Sequence, residues 1–395
     1  MWLTGHPAGP PALVPWDVAG AMHAAAERFS QLTQAIGETV TLDGPALLGE
    51  RAAHARFGRQ GWITVGGAGR MVEAADGWLA LQLPRPSDWE SLPALLGRPI
   101  GEGDWSAVEA GVARRAAAEI ERDAVDLGMA CTTLDPSRAA EPRRTIPASV
   151  DPAWTSRPRE AGEAAGPRSL RTLRVLDLSS LWAGPLCADL LARAGAEVTR
   201  VEDPSRPDGA RRGPKGFYRL LHRSGRDEVL GLATPDGRRR LAALVERSDV
   251  VIEASRPRAL RQLGIEADRI APGPLIWVSI TGHGRADAPE RIGFGDDAAV
   301  AGGLWLDGGG GRPWFVGDAI GDPMTGLYAA LAVAESVVAG GGHLIDISLR
   351  GVARSVASLP VDLDGVEVHG RDGDWWVSSP AGTEPVARPR SRSAV

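Results

Sequence analysis

The chain has 395 residues, which is enough to bury a substantial core and to form two or more domains. Hydrophobic residues make up 43% and charged residues 24%, and the net charge of -6 argues against general binding to nucleic acid or to an anionic membrane. Two cysteines provide neither a disulfide framework nor metal-ligand spacing, which favours a reducing compartment. No apolar stretch reaches the roughly 18 residues of a membrane span, so we expect a cytoplasmic protein.

The first third of the chain alternates short strand-like and helical patterns. Apolar residues recur every four positions from Val108 to Ile120, which is the spacing of one helix face. The stretch 138–169 is rich in Pro, Ala and charge and has no periodicity, so it predicts a linker. The predicted elements before it are a helix at Ala19–Leu32, strands at Trp62–Val65 and Trp78–Leu83, and a helix at Trp105–Leu127.

From Leu170 onward the pattern changes to strands that alternate with helices. Thr234 and Pro235 supply the cap and the first residue of one such helix. Alternation at this spacing predicts a mostly parallel sheet covered on both faces, and hence an α/β fold. The predicted strands are 173–178, 196–202, 228–233, 249–255 and 274–280.

The start of the chain is similar to a later segment of the same chain. Residues 2–29 and 305–336 both run from a Trp-Leu pair through a Gly/Pro turn to an Ala-rich helix, and 41–53 parallels 344–355. Chance similarity between Ala- and Gly-rich segments is the alternative. Because the order of the features is kept throughout, we predict a degenerate duplicate.

The segment 316–338 carries the sharpest functional signal. Asp322 stands just before Pro323, and the apolar periodicity that follows predicts a helix. Asp is a favoured N-cap and Pro a favoured first helical residue, so a purely structural role is the alternative. One carboxylate oxygen can cap the helix while the other faces a substrate, and the helix N-terminus favours the ionised form that a nucleophile needs. Gly321 would leave room for a bulky thioester, and Asp318 is a weaker candidate nucleophile.

Several groups follow the predicted strands, where ligands bind in open α/β sheets. The turn that opens 181–191 comes directly after the first strand, with a bare strand-to-helix connection as the alternative. Arg256 and Arg258 follow the fourth strand and predict a phosphate site. The basic residues of 206–226 form either a second such site or a solvated face. His283 follows the fifth strand and is a general base, a pocket wall or a surface residue.

Taken together, these segments resemble the family III CoA transferases, which include formyl-CoA transferase, carnitine CoA-transferase and α-methylacyl-CoA racemase. The similarity covers about 168–357 in order and includes RVLDLSSLWAGPLCADLLARAGAEVTRVEDP, TPDGRRRLAALVERSDVVIEASRPRALRQLGI, LIWVSITGHG and GDPMTGLYAALAVA. It implies a Rossmann-like large domain with a smaller α+β domain, and a nucleophile at Asp322. Coenzyme A is then a substrate exchanged between an acyl-CoA and a small carboxylic acid, and neither a metal nor a redox cofactor is expected. The positions assigned to the CoA site are Leu181, Trp182, Ala183, Leu230, Ala254, Ser255 and His283, to which the strand-end argument adds Arg256.

The sequence departs from that family at several points. Asp203, Ala233 and Gln262 stand where basic residues are common, so the details of CoA anchoring stay open. Phe294 stands where the family's racemases have the histidine of a His–Asp pair, which disfavours proton abstraction. An acyl-CoA racemase and a non-catalytic acyl-CoA-binding protein are the alternatives to a transferase.

The resemblance also implies an altered order of domains. Residues 75–97 and 113–134 are similar to the family's small domain, which normally follows the nucleophile segment. Family chains have neighbouring ends, a condition under which circular permutation is tolerated, so we predict a permuted member that forms a homodimer. Trp16 falls where the first copy would have its aspartate, which predicts an inactive copy. The predicted parts are the degenerate nucleophile copy (1–57), the small domain (58–137), a linker (138–169), the large CoA-binding domain (170–357) and a C-terminal tail (358–395).

Overall fold

Three helices open the chain in the computed structural model. Asp17 caps the first helix by accepting a hydrogen bond from Gly20 N at 2.8 Å. The buried residues Met22, Ala25 and Phe29 recur at helical spacing, so one face of this helix joins the main core. The helices are α1 (Val18–Ile36), α2 (Gly44–Leu47) and α3 (Glu50–Ala55), the first of which confirms the predicted helix. The residues that the structure describes are 1–135, 153–158, 168–267, 273–371 and 373–392.

A three-stranded antiparallel sheet and three helices follow, with a hydrophobic core of their own. The first two strands form a hairpin that is closed at the pair Ala74–Gly77. The predicted strand at Trp78–Leu83 is confirmed. The elements are β1 (Gly69–Ala74), β2 (Gly77–Gln82), α4 (Pro86–Leu96), α5 (Trp105–Val112), α6 (Ala117–Asp126) and β3 (Ala130–Thr133).

Two predictions in this region are wrong. Residues Trp62–Val65 form turns with a single isolated bridge instead of a strand. The helix predicted across Trp105–Leu127 is broken into α5 and α6. The reason is that the Asp76 carboxylate accepts a hydrogen bond from Ala117 N at 2.7 Å and so caps a new helix there. The apolar spacing runs through the break because both helices face the same core.

A seven-stranded sheet forms the centre of the fold. The strands from here onward are β4 (Trp154–Pro158), β5 (Arg174–Leu178), β6 (Glu197–Glu202), β7 (Arg226–Val229), β8 (Val250–Glu253), β9 (Ile276–Thr281), β10 (Trp305–Asp307), β11 (Pro313–Phe315) and β12 (His343–Ser348). Strands β10 and β11 pair with each other, and the other seven form one sheet in the order β4-β12-β9-β8-β5-β6-β7. All neighbours in it are parallel except β4, which is antiparallel to β12. The α/β class is confirmed. Strand β7 covers Arg226–Val229, so it is shifted toward the N-terminus from the predicted 228–233.

Helices cover both faces of this sheet. Thr234 Oγ1 accepts a hydrogen bond from Gly237 N at 3.0 Å and caps one of them as predicted. The helices are α7 (Ala183–Arg193), α8 (Lys215–Leu221), α9 (Pro235–Arg247), α10 (Pro257–Gln262), α11 (Gly295–Gly302), α12 (Gly321–Val338) and α13 (Leu349–Ala357). Helix α12 is buried along most of its length and packs against α1, α7 and α13. The two helices of the suggested duplicate, α1 and α12, therefore contact each other; the duplication and the permutation stay predictions.

Two segments in which the sequence predicted no strand contain strands. The predicted linker, 138–169, includes β4, and most of the remaining linker lies outside the described residues. The predicted tail, 358–395, includes an antiparallel sheet of three short strands. They are largely exposed, so they lack the alternation of buried and exposed residues that marks a strand. They are β13 (Glu367–Arg371), β14 (Asp374–Ser379) and β15 (Gly382–Pro385).

The end of the described chain is held by ion pairs. Arg392 Nε donates to Glu50 Oε1 at 2.6 Å, and its Nη1 donates to Asp189 Oδ2 at 3.0 Å. Both carboxylates are fully buried, in α3 and α7. The segment after β15 therefore packs against the first helices of the chain. Among the residues that the structure describes, no helix is both long and apolar enough to cross a membrane.

Candidate active site

Asp322 lies in the first turn of α12, after a bend in the chain. The helix begins at Gly321, so Asp322 is its second residue and the predicted N-cap role is wrong. The bend is made by Ala319, whose φ of 43° is left-handed; a non-glycine residue adopts this conformation at a cost of about 1–2 kcal/mol. The Ala319 carbonyl accepts a hydrogen bond from Asp322 N at 2.8 Å. The bend leaves the Asp322 side chain partly exposed at one end of a largely buried helix.

Two glycines allow α11 to approach the Asp322 carboxylate. The Gly295 backbone N–H lies beside the Asp322 carboxylate and lowers its pKa, and a Cβ atom at Gly295 would overlap Asp322 Oδ2. A Cβ atom at Gly321 would lie 2.8 Å from the Gly295 carbonyl oxygen. Gly321 therefore permits the close packing of α11 and α12, whereas the sequence suggested that it makes room for a thioester.

Three carboxylates and one guanidinium group share this corner. Asp318 is fully buried and pairs with Arg51 of α3, and Asp296 Oδ1 accepts a hydrogen bond from Ala319 N at 2.8 Å. Burial raises the pKa of Asp322 to about 7; Arg51 opposes this rise, and Asp296 and Asp318 add to it. Burial likewise raises the pKa of Asp296 to about 6. The sequence predicted that the helix N-terminus favours the ionised form of Asp322. In the structure the effect of burial is larger, and the carboxylate ionises only near neutral pH.

Arg51 is the residue of this corner that sequence reasoning missed. Its Nε donates to Asp318 Oδ2 at 3.0 Å and its Nη2 donates to the other oxygen. The guanidinium carbon lies 5.6 Å from the centre of the Trp182 ring. Arg51 falls within 1–57, where the sequence shows no binding motif, and one arginine among 44 basic residues carries no positional signal.

The turn after β5 brings predicted CoA residues beneath Arg51. Leu181 has a left-handed φ of 71°, and its N–H donates to Asp208 Oδ1 at 3.1 Å. Its side chain is exposed, whereas Trp182 and Ala183 are buried. The Trp182 ring packs edge-on against Phe217 with 4.9 Å between ring centres. Leu181 is therefore accessible to a ligand, and Trp182 forms part of the floor on which Arg51 lies.

A cationic cleft of about 310 Å³ lies between the helices of the small sheet and the strand ends of the main sheet. Arg85, Arg256 and Arg258 line it together with Asp88 and Asp126, and Arg85 pairs with Asp88. Arg258 lies 3.4 Å from Glu290, whereas the Arg256 side chain has no hydrogen-bond or ion-pair partner among the described residues. Burial, followed by the charge of Arg258, lowers the pKa of Arg256. An unpaired guanidinium beside other cations is suited to a phosphate group.

The other predicted CoA residues differ in accessibility. Ala254 is exposed and Ser255 partly exposed, directly before Arg256 at the end of β8. Leu230 is only 4% exposed and packs into the core on one face of the sheet. Ala254 and Ser255 can therefore reach a ligand in the cleft region, and Leu230 cannot do so with its side chain in this conformation.

His283 is fully buried, so the surface alternative for it is wrong. Its Nε2 lies 3.9 Å from Asp297 Oδ2 of α11. Burial lowers the pKa of His283 to about 3 and raises the pKa of Asp297 to about 8. Both groups are therefore largely uncharged at neutral pH, and His283 is enclosed in the core.

The basic residues of 206–226 are spread over the surface and do not converge. Lys215, the only lysine of the chain, is exposed at the start of α8. Other members have acidic partners in neighbouring elements, which favours the solvated-face interpretation and leaves the cleft as the phosphate candidate. These pairs are Arg211 with Glu202, Arg223 with Asp189 and Arg226 with Glu197.

One loop joins the cationic cleft to Asp322. Ile292 lines the cleft, the Phe294 ring centre lies 5.8 Å from the guanidinium carbon of Arg85, and Gly295 lies against the Asp322 carboxylate. Three residue steps of fully extended chain span at most about 11 Å. The cleft-lining Ile292 and the residue beside Asp322 are therefore separated by no more than the length of one elongated ligand.

The part of the chain that contains the main sheet and Asp322 is similar to known proteins. Residues 170–362, which include all the parallel strands and Asp322, match the family model described as CoA-transferase family III. A succinyl-CoA–D-citramalate CoA-transferase of Chloroflexus aurantiacus is 33% identical over 211 residues, 49% of this chain and 52% of the relative. A succinate–glutarate CoA-transferase of Agrobacterium fabrum is 32% identical over 210 residues, 47% and 52% of the two chains. A CAIB/BAIF family protein from Brucella suis has 25% identity and a TM-score of 0.47 over 53% of this chain and 65% of that one.

Residues 170–362, just under half of the chain, therefore resemble CoA-transferase family III. The resemblance found in the sequence is thereby confirmed. The chain spans about half the length of the curated relatives it matches. The first 169 residues, which contain Arg51 and the small sheet, lie outside the family match.

Proposed function

We propose that the protein is a CoA transferase that moves coenzyme A from an acyl-CoA donor to a carboxylic acid acceptor, with Asp322 as the nucleophile. The observation that carries the proposal is the partly exposed Asp322 carboxylate at the start of a buried helix, within the segment that resembles CoA-transferase family III. The cationic cleft supports it, because the phosphates of coenzyme A need paired cations. Arg256, Ser255, Ala254 and Leu181 are the accessible residues proposed to contact coenzyme A.

The chemistry is two rounds of acyl exchange. Asp322 attacks the donor thioester carbonyl, the C–S bond breaks, and CoA thiolate leaves a mixed anhydride on the carboxylate. The thiolate attacks the aspartyl carbonyl carbon and releases the donor acid, which leaves an aspartyl-CoA thioester. The acceptor carboxylate attacks this thioester to form a second anhydride, and the thiolate then takes the acceptor acyl group and regenerates Asp322. No electrons are gained or lost, so the proposal requires neither a redox cofactor nor a metal.

The Gly295 N–H supports the steps at the aspartyl carbonyl. It already faces the Asp322 carboxylate, whose pKa it lowers, and it stays in place when a tetrahedral oxyanion forms on the same carbon. A donor fixed in a site with little water stabilises such a charge more than water does. A side chain at position 295 would displace it, because a Cβ atom there overlaps Asp322 Oδ2.

Substitution of the nucleophile is the direct test. Asp322→Asn keeps the shape of the side chain and removes its charge, so we expect acyl exchange to fall by about three orders of magnitude or more. Wild-type protein incubated with succinyl-CoA, the donor that one relative's name contains, and with other acyl-CoA esters should form a hydroxamate at Asp322 when hydroxylamine is added. Mass spectrometry of the peptide would locate it. Formation should rise with pH through about 7 as the carboxylate ionises.

Asp17→Asn is the matched control. Asp17 is exposed and caps α1, next to Trp16, which takes the place of Asp322 in the suggested N-terminal duplicate, and asparagine caps a helix equally well. This variant should exchange CoA at the wild-type rate. Exchange by Asp322→Asn at the wild-type rate would reject the mechanism, and binding of CoA without any acyl exchange by either protein would favour a non-catalytic acyl-CoA-binding protein. Asp318→Asn, which the sequence suggests as a control, is unsuitable because Asp318 pairs with Arg51.

We further infer a cytoplasmic homodimer with a circularly permuted order of parts. The separate core of the small sheet, which precedes the main sheet in the chain, is consistent with the permuted order. Light scattering at several concentrations tests the dimer, because a monomer mass at all of them would reject it.

A further inference from the structure

Arg51 reaches the nucleophile corner from a part of the chain outside the family match. It lies in α3, 267 positions before Asp318. Two of its three nitrogens are fixed, since Nε and Nη2 both donate to the Asp318 carboxylate, which is 0% exposed. A guanidinium group held in this way cannot rotate about its own plane. Its orientation in the site is therefore set before any ligand arrives.

The third nitrogen of Arg51 is free. Nη1 donates no hydrogen bond to any residue that the structure describes, and the side chain as a whole is 27% exposed. The guanidinium lies over the rings of Trp182 and Phe57, with 5.6 and 6.0 Å to their centres. The group is thus anchored on one edge, covered on its face and open on the remaining edge.

Arg51 does not pair with Asp322 itself. The two do not form an ion pair, so their charged atoms are more than 4.0 Å apart. They are nevertheless close enough for the charge of Arg51 to act on the carboxyl group of Asp322. The other polar groups that face Asp322 are Asp318 from the preceding turn and Asp296 and Gly295 from α11. Arg51 is therefore the one cation among them.

We propose that the open edge of Arg51 binds the carboxylate of the acid substrate and holds it beside Asp322. The inference rests on the proposed function, in which a free carboxylate must approach a corner that already holds three acidic groups. A guanidinium edge is the protein group best matched to a carboxylate, and charge-assisted hydrogen bonds to it are strong. The N-terminal segment, predicted from the sequence as an inactive copy, would thus complete the site of the family segment.

The test compares two variants that separate binding from charge balance. Arg51→Lys keeps a cation opposite Asp318 but loses the open edge of the guanidinium group. Arg51→Met combined with Asp318→Asn removes both charges and leaves no unpaired buried carboxylate. Arg28→Met is the control, because Arg28 lies on α1 with an exposed side chain and a loose 3.7 Å contact to Glu335. The assay is exchange of labelled succinate into succinyl-CoA, or the best donor and acid of the panel used for Asp322.

We expect both Arg51 variants to raise KM for the acid about tenfold or more, with KM for the acyl-CoA within about twofold of wild type. Arg51→Lys should keep the pH dependence of hydroxamate formation at Asp322, since the cation remains, and Arg28→Met should behave as wild type. An unchanged KM for the acid in both variants, with hydroxamate formation intact, would overturn the inference and leave the proposed function standing. No hydroxamate at Asp322 in the wild type would overturn both.

Discussion

Burial and ionisation compete at Asp322. The side chain has to be shielded from bulk water for a reactive anhydride to survive, yet only the ionised form attacks a thioester. With a pKa of about 7, set by burial against the charge of Arg51, the carboxylate is about half ionised near neutral pH in the free protein. Small changes in the surrounding charges therefore alter the amount of active nucleophile directly.

The free guanidinium in the cleft carries a prediction on coenzyme A binding. Arg256→Ala should weaken binding of coenzyme A by about 1.5–3 kcal/mol, because it removes the unpaired guanidinium group that is proposed to contact a phosphate of coenzyme A. Calorimetric titration of the protein with coenzyme A measures this change. Arg212→Ala, at an exposed position of 206–226, is the control and should bind normally. Normal binding of coenzyme A by Arg256→Ala together with weaker binding by Arg212→Ala would place the phosphate site in 206–226.

At this scale the sequence located Asp322 and missed Arg51, for a physical reason. Asp322 stands in a segment whose helix, proline and glycines are all local in sequence. Arg51 is positioned by its hydrogen bonds to Asp318, which lies 267 residues later in the chain. Nothing near Arg51 in sequence distinguishes it from the exposed Arg56. The burial of Leu230 and His283 was missed similarly, because a strand-end position does not reveal how far a side chain lies below the surface.

Helix α11 contains a second uncommon carboxyl group. Asp297 is fully buried, and its Oδ1 accepts a hydrogen bond from Phe294 N at 2.7 Å, which caps the helix. Burial raises the pKa of Asp297 to about 8, far above its value in an unfolded chain. Between these values the folded state binds the proton more tightly, so its stabilising effect is full at low pH and is lost as the pH rises through about 8.

Asp297→Asn should therefore flatten the pH dependence of stability. Asparagine resembles the protonated acid and can still accept the bond from Phe294 N. The wild-type free energy of unfolding should fall between pH 6 and pH 8, with Asp297 contributing on the order of 1 kcal/mol per pH unit, and the variant should lack that part. Urea unfolding at both pH values measures it, with Asp104→Asn, the exposed cap of α5, as control. Equal slopes in variant and wild type would contradict the prediction.

Most of the parallel strands were predictable because each is a short apolar run between a turn and an amphipathic helix. Strand β4 was not, because it is a partly exposed edge strand in a stretch rich in proline and charge. The break between α5 and α6 depends on Asp76, which lies in another element. The local sequence pattern therefore failed to predict the elements whose bounds depend on residues far away in the chain.

At the scale of the whole molecule, the two ends of the described chain are joined by Arg392. Its side chain is 8% exposed and lies between Glu50 and Asp189, each 0% exposed. Arg392→Met should lower the free energy of unfolding by about 3–5 kcal/mol, because the buried Glu50 carboxylate loses its cation, whereas Asp189 keeps its contact with Arg223. Urea unfolding measures the loss.

Arg390→Met is the matched variant, two positions away. Arg390 pairs with Asp43 at the surface, where both side chains are well exposed, and a pair of this kind contributes at most about 1 kcal/mol. A similar, small effect of both substitutions would show that the segment after β15 does not anchor the fold.

The nearly complete use of arginine for positive charge gives the molecule one further property. Because Lys215 is its only lysine, an endoproteinase specific for lysine has a single peptide bond to cut. That bond lies at the start of α8, whose Phe217, Leu220 and Leu221 are buried, so cleavage requires this helix to open locally. The rate at which the intact chain disappears on a gel therefore reports one local opening event, without any label or engineered site.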